Sequence, residues 1–459
     1  MKDKKYLKWY DKVAYASGDM AANCGYALIS SFMMIYLTNA VGLNSAVIGT
    51  LMLVSKIFDG VTDVFFGTMI DRTRSKLGKA RPWMLYGQIG VSASLFLVFS
   101  IPGMSATMQY AYFFVFYTAY NAIFFTANNI AYATLSALIT RNAEERVQLG
   151  SIRFIFSTAT YMIVLSSAMG LVEKFGGGAQ GWRMVALIFA ILGLAINTFS
   201  ALMVKELPDE EGTAQGENKQ KADKPGLITA LKLLVKNPYY LIIVGLYILY
   251  YGGNGISSAS SVYFYNYYFE NPALMGIMSL SGTLPMILIL AITPVLVKKA
   301  GSIRKVTMLG YLLSSVAGIL QIFAAMQKSI PLFFILAVVR SLGMGPFTGT
   351  INALIAETAD YTRKSTGISV DGTMFSCSSI GVKVGGGIGS AIAGILLSVG
   401  GFDGMAEVQT AGAVNMIFFM TTVLPVVIGL GIVVLLYFLK VEKANAELDL
   451  AQKKEAVEC

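Results

Sequence analysis

Three charged side chains within two helical turns hold the sharpest chemistry in this sequence. In Lys56-Ile57-Phe58-Asp59-Gly60-Val61-Thr62-Asp63 they fall at i, i+3 and i+7, so they share one helix face. Two carboxylates one turn apart repel each other when both are ionised, and each favours a proton on the other. A monovalent hard cation between them removes that conflict, because oxygen ligands suit such ions. Thr62, and Thr126 further along the chain, add hydroxyl oxygens, while Lys56 can pair with the carboxylates when the ion is absent. The constellation reads as a Na⁺, Li⁺ or H⁺ coupling site. The plainer reading is a Lys–Asp pair that holds two helices in register.

A second group suits a polyhydroxylated ligand. Asp19, Asn23 and Tyr26 share a face by the same spacing, and Thr126, Asn128 and Asn129 follow an aromatic stretch from Tyr110 to Phe125. Carboxylate and amide groups read hydroxyls, while rings cover the C–H faces of a sugar. Most of these rings also serve simply as packing or lipid-facing residues. The run Tyr263-Phe264-Tyr265-Asn266-Tyr267-Tyr268-Phe269 reads as an interfacial aromatic belt.

The elements that position these groups follow from composition. Of 459 residues, 55% are hydrophobic and only 13% charged, where soluble chains carry roughly 25%. Such a chain cannot cover a water-facing surface, but a bilayer accepts apolar exterior. Against the ~20 residues that a spanning helix needs, twelve apolar runs appear, at 13–40, 44–70, 83–102, 107–139, 149–172, 183–204, 237–269, 272–297, 303–326, 331–356, 369–399 and 411–439. The expected fold is therefore an all-α polytopic membrane protein of twelve transmembrane helices.

Charge placement orients it. Of 35 Lys and Arg, 28 fall in the two termini and the connections on their side, three fall opposite, and four lie inside spans. The positive-inside rule then puts both termini in the cytoplasm of a multi-pass plasma-membrane protein. The same placement argues against nucleic acid as the partner of the +9 net charge. The basic start, Met1 to Lys12, does not read as a cleavable signal peptide. Residues 205–236 are polar, without apolar periodicity, and read as a disordered cytoplasmic linker. They separate a six-helix half at 1–204 from a second at 237–459 with a short cytoplasmic tail. Gly49 and Gly276 echo each other across the halves. Two six-helix halves joined by such a linker are the layout of major-facilitator transporters.

An ionised group mid-span costs about 2.5–3.5 kcal/mol on insertion scales, so Asp19, Lys56, Asp59, Asp63, Arg153, Arg340 and Lys383 need reasons. An enzyme is disfavoured: the chain has no histidine, no metal-ligand spacing and no loop fit for catalysis. Its three cysteines, Cys24, Cys377 and Cys459, are too scattered for a disulfide framework.

One stretch is recognisable. Asp59-Gly60-Val61-Thr62-Asp63 runs on to Gly67, then Asp71-Arg72-Thr73-Arg74-Ser75-Lys76 and Gly78-Lys79-Ala80-Arg81-Pro82-Trp83. With Gly18-Asp19 and Asn23, Ala356-Glu357-Thr358-Ala359-Asp360-Tyr361 and Lys383-Val384-Gly385-Gly386-Gly387, it resembles the glycoside–pentoside–hexuronide:cation symporter family over essentially the whole chain. The resemblance implies a major-facilitator fold and sugar uptake driven by Na⁺, Li⁺ or H⁺, with no cofactor. It implies that Asp59, Asp63 and Thr126 belong to the cation site, that Lys383 lies near both sites, and that Arg153 is the family's span-five arginine. Departures matter: Asn23 and Asn129 stand where the family's best-known member has sugar-gripping aspartates. Lys56 replaces an Arg there, Thr62 an Asn and Thr348 a Trp. The cation site looks kept and the sugar site rewritten.

The expectation is a symporter of a glycoside, oligosaccharide, pentoside or hexuronide, working as a monomer by alternating access. Its cation site comprises Asp59, Asp63, Thr126, Thr62 and Lys56. Its sugar site comprises Asp19, Asn23, Tyr26, Asn129, Arg153 and Lys383. Asp71, Arg72, Arg74, Arg141 and Arg363 are expected to make ion pairs that close the cytoplasmic side, or simply to mark that side. The alternatives are a carrier of a non-sugar solute or lipid on the same scaffold, or a non-transporting sensor.

Overall fold

The computed structural model describes residues 5–140, 142–207, 227–368, 371–406 and 408–458, and among them all regular structure is helical. The chain enters through α1 (Trp9–Ile35), which runs into a π-helical turn at Tyr36–Ala40. Asn44 starts α2 (Ser45–Arg72): its side-chain oxygen accepts from the Ala46 and Val47 amides at 3.0 and 3.3 Å, satisfying two orphan donors. Next come α3 (Arg81–Val98), then α4 (Ala106–Thr118) joined to α5 (Thr126–Leu138) by a π-helical stretch at Ala119–Phe125. α6 (Ala143–Lys174) and α7 (Gly178–Met203) complete the first half of the sequence.

The second half begins with a short helix, α8 (Leu227–Lys236), followed by α9 (Pro238–Tyr263) with its π-helical end at Phe264–Tyr268. α10 (Leu274–Ala300), α11 (Ile303–Met326), α12 (Ile330–Thr366) and α13 (Asp371–Val399) follow. α14 (Ala411–Phe418), a π turn at Phe419–Val423 and α15 (Leu424–Phe438) form one continuous rod. α16 (Val441–Glu458) ends the described chain.

Ten helical stretches among the described residues are long and apolar enough to cross a membrane, where twelve were expected. The two that fall short are α3 and the α4–α5 rod. α3 has 18 residues and includes Arg81 and Gln88, while the α4–α5 rod is diluted by tyrosines, threonines and asparagines. The segment at 205–236 also differs from the expected featureless linker. Its last ten residues form α8, whose Leu234 is fully buried among Tyr240, Ile355, Leu439 and Val441. An apolar i, i+3, i+4 face explains why this piece folds.

The chain divides into two compact units. One comprises Met1–Lys219 together with Ser258–Gly276 and Ser390–Ile417; the other comprises Gln220–Ser257, Ile277–Gly389 and Phe418–Cys459. Each is locked by the same device. In the first, the Glu206 carboxylate accepts from the backbone amides of Lys79, Ala80 and Arg81 at 2.7, 2.9 and 3.1 Å, capping α3. In the second, Glu442 accepts from the amides of Ile303 and Arg304 at 2.7 and 3.3 Å, capping α11. A carboxylate at a helix N-terminus meets free N–H groups and the positive end of the dipole. Gly78 (φ +107°) makes room, since a Cβ there would stand 2.3 Å from the Glu206 carboxyl carbon.

Within the first unit, small residues let helices touch backbone to backbone. A Cβ on Gly49 of α2 would lie 2.9 Å from the Ser390 carbonyl, and one on Gly394 of α13 only 2.2 Å from that of Ser45. Gly276, at the start of α10, leaves room for the Ser166 side chain of α6. Where lipid replaces water, such close approach substitutes for a hydrophobic drive. The run from Tyr263 to Phe269 is not an interfacial belt. Tyr263 and Phe264 are fully buried, the Tyr263 hydroxyl lies 2.9 Å from Thr38 Oγ1, and Tyr267 bonds the Asn39 amide. The π-helical turn rotates consecutive rings inward, which α-helical spacing does not anticipate.

Candidate functional site

Asp59 is 95% covered and sits at the centre of a polar cluster. α2 presents it toward the α4–α5 rod, where Thr126 Oγ1 lies 2.5 Å from its Oδ1. The Lys56 ammonium stands 3.8 Å from Oδ2 on the same face of α2. Lys56 also donates to Asn121 Oδ1 at 3.1 Å. Asn121 belongs to the π-helical stretch, and its backbone carbonyl lies 2.8 Å from Thr126 Oγ1. A π turn leaves carbonyls without their usual i+4 partner, so this carbonyl faces the Thr126 hydroxyl across five residues. Asn121 is a member that sequence reasoning missed, because nothing in residue order marks a π turn.

Thr62 is placed differently from expectation: its hydroxyl donates to the Asp59 carbonyl at 3.1 Å, tying it to its own helix. Asp63 is half-buried one turn below Asp59 on α2.

The second cluster zips α1 to α6. Asp19 is 93% covered and pairs with Arg153 at 3.2 Å. The Arg153 guanidinium lies 4.9 Å from the centre of the Tyr132 ring, and Tyr132 in turn stacks on Tyr15 at 4.6 Å. A planar cation over an aromatic face gains quadrupole attraction that a lysine ammonium would exploit less well. Gly18 leaves space for that ring, since a Cβ would meet Tyr132 at 2.5 Å. One turn along, Asn23 Nδ2 donates to Ser157 Oγ and to the Asp19 carbonyl, both at 2.8 Å. Tyr26 is exposed, with its ring stacked on Phe125 at 5.8 Å. Asn129 is exposed on α5, whereas its neighbour Asn128 is buried and donates to Gln88 at 2.6 Å. Tyr132 and Ser157 were not anticipated; the i, i+4 step from Arg153 to Ser157 was the available signal.

Lys383 lies half-buried on α13, in the other compact unit from these residues. The expected cytoplasmic gate is only partly in view. Arg363 pairs with Asp360 of its own helix at 2.6 Å, a local i, i+3 contact rather than a bridge between helices. Arg72 and Arg74 are exposed, Arg141 lies outside the described residues, and so does the side chain of Asp71.

Comparison with known proteins places this geometry. A family model described as "MFS/sugar transport protein" matches residues 14–443. The chain belongs to that family of major-facilitator sugar transporters. An isoprimeverose transporter of Lactiplantibacillus pentosus is 31% identical over 98% of this chain and 93% of its own length. The inner membrane symporter YicJ of Escherichia coli is 26% identical, covering 91% of this chain and 88% of its own. Among solved structures, a bacterial homologue of the human lysosomal transporter Spinster superposes with a TM-score of 0.69 at 15% identity, over 96% of this chain and 98% of that one. That likeness shows the fold alone. The family establishes a membrane transporter of sugars rather than an enzyme, and such carriers work without a cofactor.

Proposed function

We propose that this transporter is a cation-coupled symporter of a glycoside, oligosaccharide, pentoside or hexuronide, spanning the plasma membrane twelve times with both termini in the cytoplasm. Its two six-helix halves, 1–204 and 237–459, would rock about the polar clusters of the first unit, with one chain as the working unit. The observation that carries this reading is Asp59, held by a hydroxyl on one side and an ammonium on the other inside an apolar bundle.

The mechanism follows from proton and charge bookkeeping at that carboxylate. Without a coupling ion, Lys56 supplies the compensating charge, and the Thr126 proton points at Asp59 Oδ1. A hydroxyl has one proton and two lone pairs. When Na⁺ or Li⁺ arrives between Asp59 and Asp63, the Thr126 proton turns to the Asn121 carbonyl, 2.8 Å away. Its lone pairs then face the ion, and Lys56 gives up Asp59 while keeping its bond to the Asn121 side chain. A proton on Asp59 would produce the same release. The ion is cargo that neutralises the site.

Sugar recognition is assigned to Asp19, Asn23 and Arg153, with Tyr26 and Asn129 exposed on α1 and α5, and Lys383 keeps the role that the resemblance implies. The Asp19–Arg153 pair offers both acceptor and donors to a diol. A charged pair that is two-thirds shielded on its Arg side can open for a ligand at less cost than a fully buried one. Ion binding at Asp59 and sugar binding at Asp19 then favour the same rearrangement, which is what coupling requires.

The deciding experiment is uptake of radiolabelled glycosides and glucuronides into proteoliposomes, with an inward Na⁺ gradient, an H⁺ gradient or neither. Accumulation above equilibrium in one gradient only would support the proposal. Equal uptake in all three conditions, or accumulation of lysolipid instead of sugar, would overturn it.

A further inference from the structure

The carboxylate caps of the two units differ in what surrounds them. In the first, Arg81 spends all three guanidinium nitrogens on the carbonyls of Ala201, Leu77 and Leu202. Its counterpart Arg304 gives one nitrogen to the Tyr437 carbonyl at 3.0 Å, and Tyr437 precedes Glu442 by five residues as Ala201 precedes Glu206. At matching positions the first unit has Ala201, Leu202 and Val204, where the second has Tyr437, Phe438 and Lys440. The Lys440 ammonium stands 5.7 Å from the centre of the Tyr437 ring, and the rings of Tyr437 and Phe438 are exposed. Lys298 and Lys299 close α10, Lys305 lies in the first turn of α11, and all three are exposed. The connection is short: Lys299 stands three residues before Ser302, at most about 11 Å of chain, and the Ser302 hydroxyl donates to Glu442. Among the described residues, Lys298, Lys299, Arg304, Lys305 and Lys440 form no ion pair. The neighbouring acids are committed elsewhere, Glu442 to the α11 amides and Glu447 to Lys443.

What these charges meet is set by the surface beside them. One turn further in on the same helix faces, Val295 of α10, Leu309 of α11 and Val434 of α15 are exposed apolar side chains, which in a membrane transporter face acyl chains. Apolar side chains, then rings, then cations repeat the order of acyl chain, glycerol and phosphate in a phospholipid. Orienting the chain requires only that the basic residues be present. It requires neither the rings nor a lysine placed over one of them, and the matching positions of the first unit have neither. An acidic protein surface would complement the charges but not the apolar band next to them. We propose that this end of the second unit is a docking surface for an anionic phospholipid. Its phosphate meets Lys440 and the Lys298–Lys299 pair, and its chains lie along α10, α11 and α15.

Thermal unfolding of the full-length protein in a neutral detergent, at fixed salt, tests this with phosphatidylglycerol and phosphatidylcholine of the same acyl chains. Phosphatidylglycerol should raise the melting temperature saturably and phosphatidylcholine should not, as mass action requires of a specific native-state ligand. A basic side chain beside an anionic headgroup is worth roughly fivefold in affinity. Lys440→Gln should therefore weaken the apparent phosphatidylglycerol affinity about fivefold, and Lys298→Gln with Lys299→Gln about 25-fold. Lys76→Gln with Lys205→Gln removes the same charge from exposed positions of the first unit, where Ala201 and Leu202 replace the rings, and should leave the affinity unchanged. Equal stabilisation by both lipids would overturn the proposal. So would a first-unit pair that weakens binding as much as Lys298→Gln with Lys299→Gln, because that result describes overall charge. Stabilisation by soluble glycerol phosphate equal to that by phosphatidylglycerol would overturn it too, since that ligand has no chains to lay on the helices. Should the Lys298 and Lys299 double variant fail to fold, Lys440→Gln decides: a titration equal to the wild type's would remove the site.

Discussion

Thr126 reaches Asp59 across two helices, its hydroxyl 2.5 Å from the carboxylate, and the same hydroxyl has a backbone carbonyl 2.8 Å away on its other side. One proton shared between two acceptors makes this side chain a swivel: it either donates to Asp59 or leaves its lone pairs free for a cation. A carboxylate and a hydroxyl without that second acceptor would not do both.

The swivel sets the first expectation. Thr126→Val keeps the shape but loses the oxygen, and a hydrogen bond to a charged group is worth about 1.5–3 kcal/mol. The coupling-ion constant for uptake should therefore weaken at least ~10-fold, while Thr126→Ser stays near the wild type. Asp59→Cys and Asp63→Cys should abolish accumulation against a gradient yet leave downhill sugar exchange. Full Na⁺- or H⁺-driven accumulation in either Cys variant would remove the cation site from this location.

At the second cluster the question is charge balance. Asp19→Asn leaves Arg153 facing Tyr132 without its carboxylate. Removing one member of a shielded pair typically costs about 3–5 kcal/mol, and the partial exposure of Arg153 puts the expected loss at or below the lower end. Asp19→Asn and Arg153→Gln should each lower the melting temperature, and the double variant should recover part of it. Sugar affinity should fall in all three while the ion constant holds. A double variant no more stable than the worse single one would show that the two side chains do not act as a pair.

These sites differ in how legible they were from residue order. The Lys56–Asp59 step on α2 and the Asp19–Asn23 step on α1 depend only on helical period, and both contacts appear as that period dictates. Asn121, Tyr132 and the inward turn of Tyr263 and Phe264 depend on π-helical stretches or on which helix packs beside which. Neither is encoded in hydropathy. Glu206 lay in a segment too polar to suggest structure, yet its carboxylate caps α3 across more than 120 residues of sequence. A carboxylate that caps a distant helix has no local signature. The Arg363 side chain shows the reverse error: a basic residue near a membrane edge invited a long-range bridge, and Asp360 three residues away was the nearer partner.

Acid sensitivity should trace to Glu145. Burial pushes its carboxyl pKa up, but the Thr140 hydroxyl, the Leu7 and Tyr6 amides and the Lys12 ammonium together outweigh that and hold it below the ordinary 4.5. A carboxyl depressed on folding contributes stability that is complete above its unfolded pKa and lost as pH falls through the folded one. The tether of the N-terminal segment to α6, made by those two amides at 3.1 and 3.2 Å, should therefore loosen only below about pH 4.5. Proteolysis near Tyr6 at graded pH checks this. Glu145→Gln should be cut faster than the wild type at neutral pH, with little further change on acidification. A variant as protected as the wild type at pH 7 would show that the charge is not what holds the segment.

The glycine contacts of the first unit bear on movement. In the proposed rocking of residues 1–204 against 237–459, the Ser45 end of α2 would separate from α13 and meet it again in each cycle. At Gly394 a Cβ would stand 2.2 Å from the Ser45 carbonyl, and the obstacle is backbone, which cannot rotate aside. Gly394→Leu should therefore hold the two helices apart. Overpacking costs about 1–3 kcal/mol, enough to shift a two-state balance by roughly 5- to 150-fold. In a protein otherwise free of cysteine, Thr38→Cys reports on this region, because Thr38 is buried beside Tyr263 and the Gly404 backbone. Its labelling by a membrane-impermeant maleimide should be slow in the parent and about tenfold faster with Gly394→Leu, following the same shift in balance. Uptake should fall while sugar binding to the detergent-solubilised protein persists. Unchanged labelling with lost uptake would mean that the leucine damages the site or the fold, and that this contact does not open during transport.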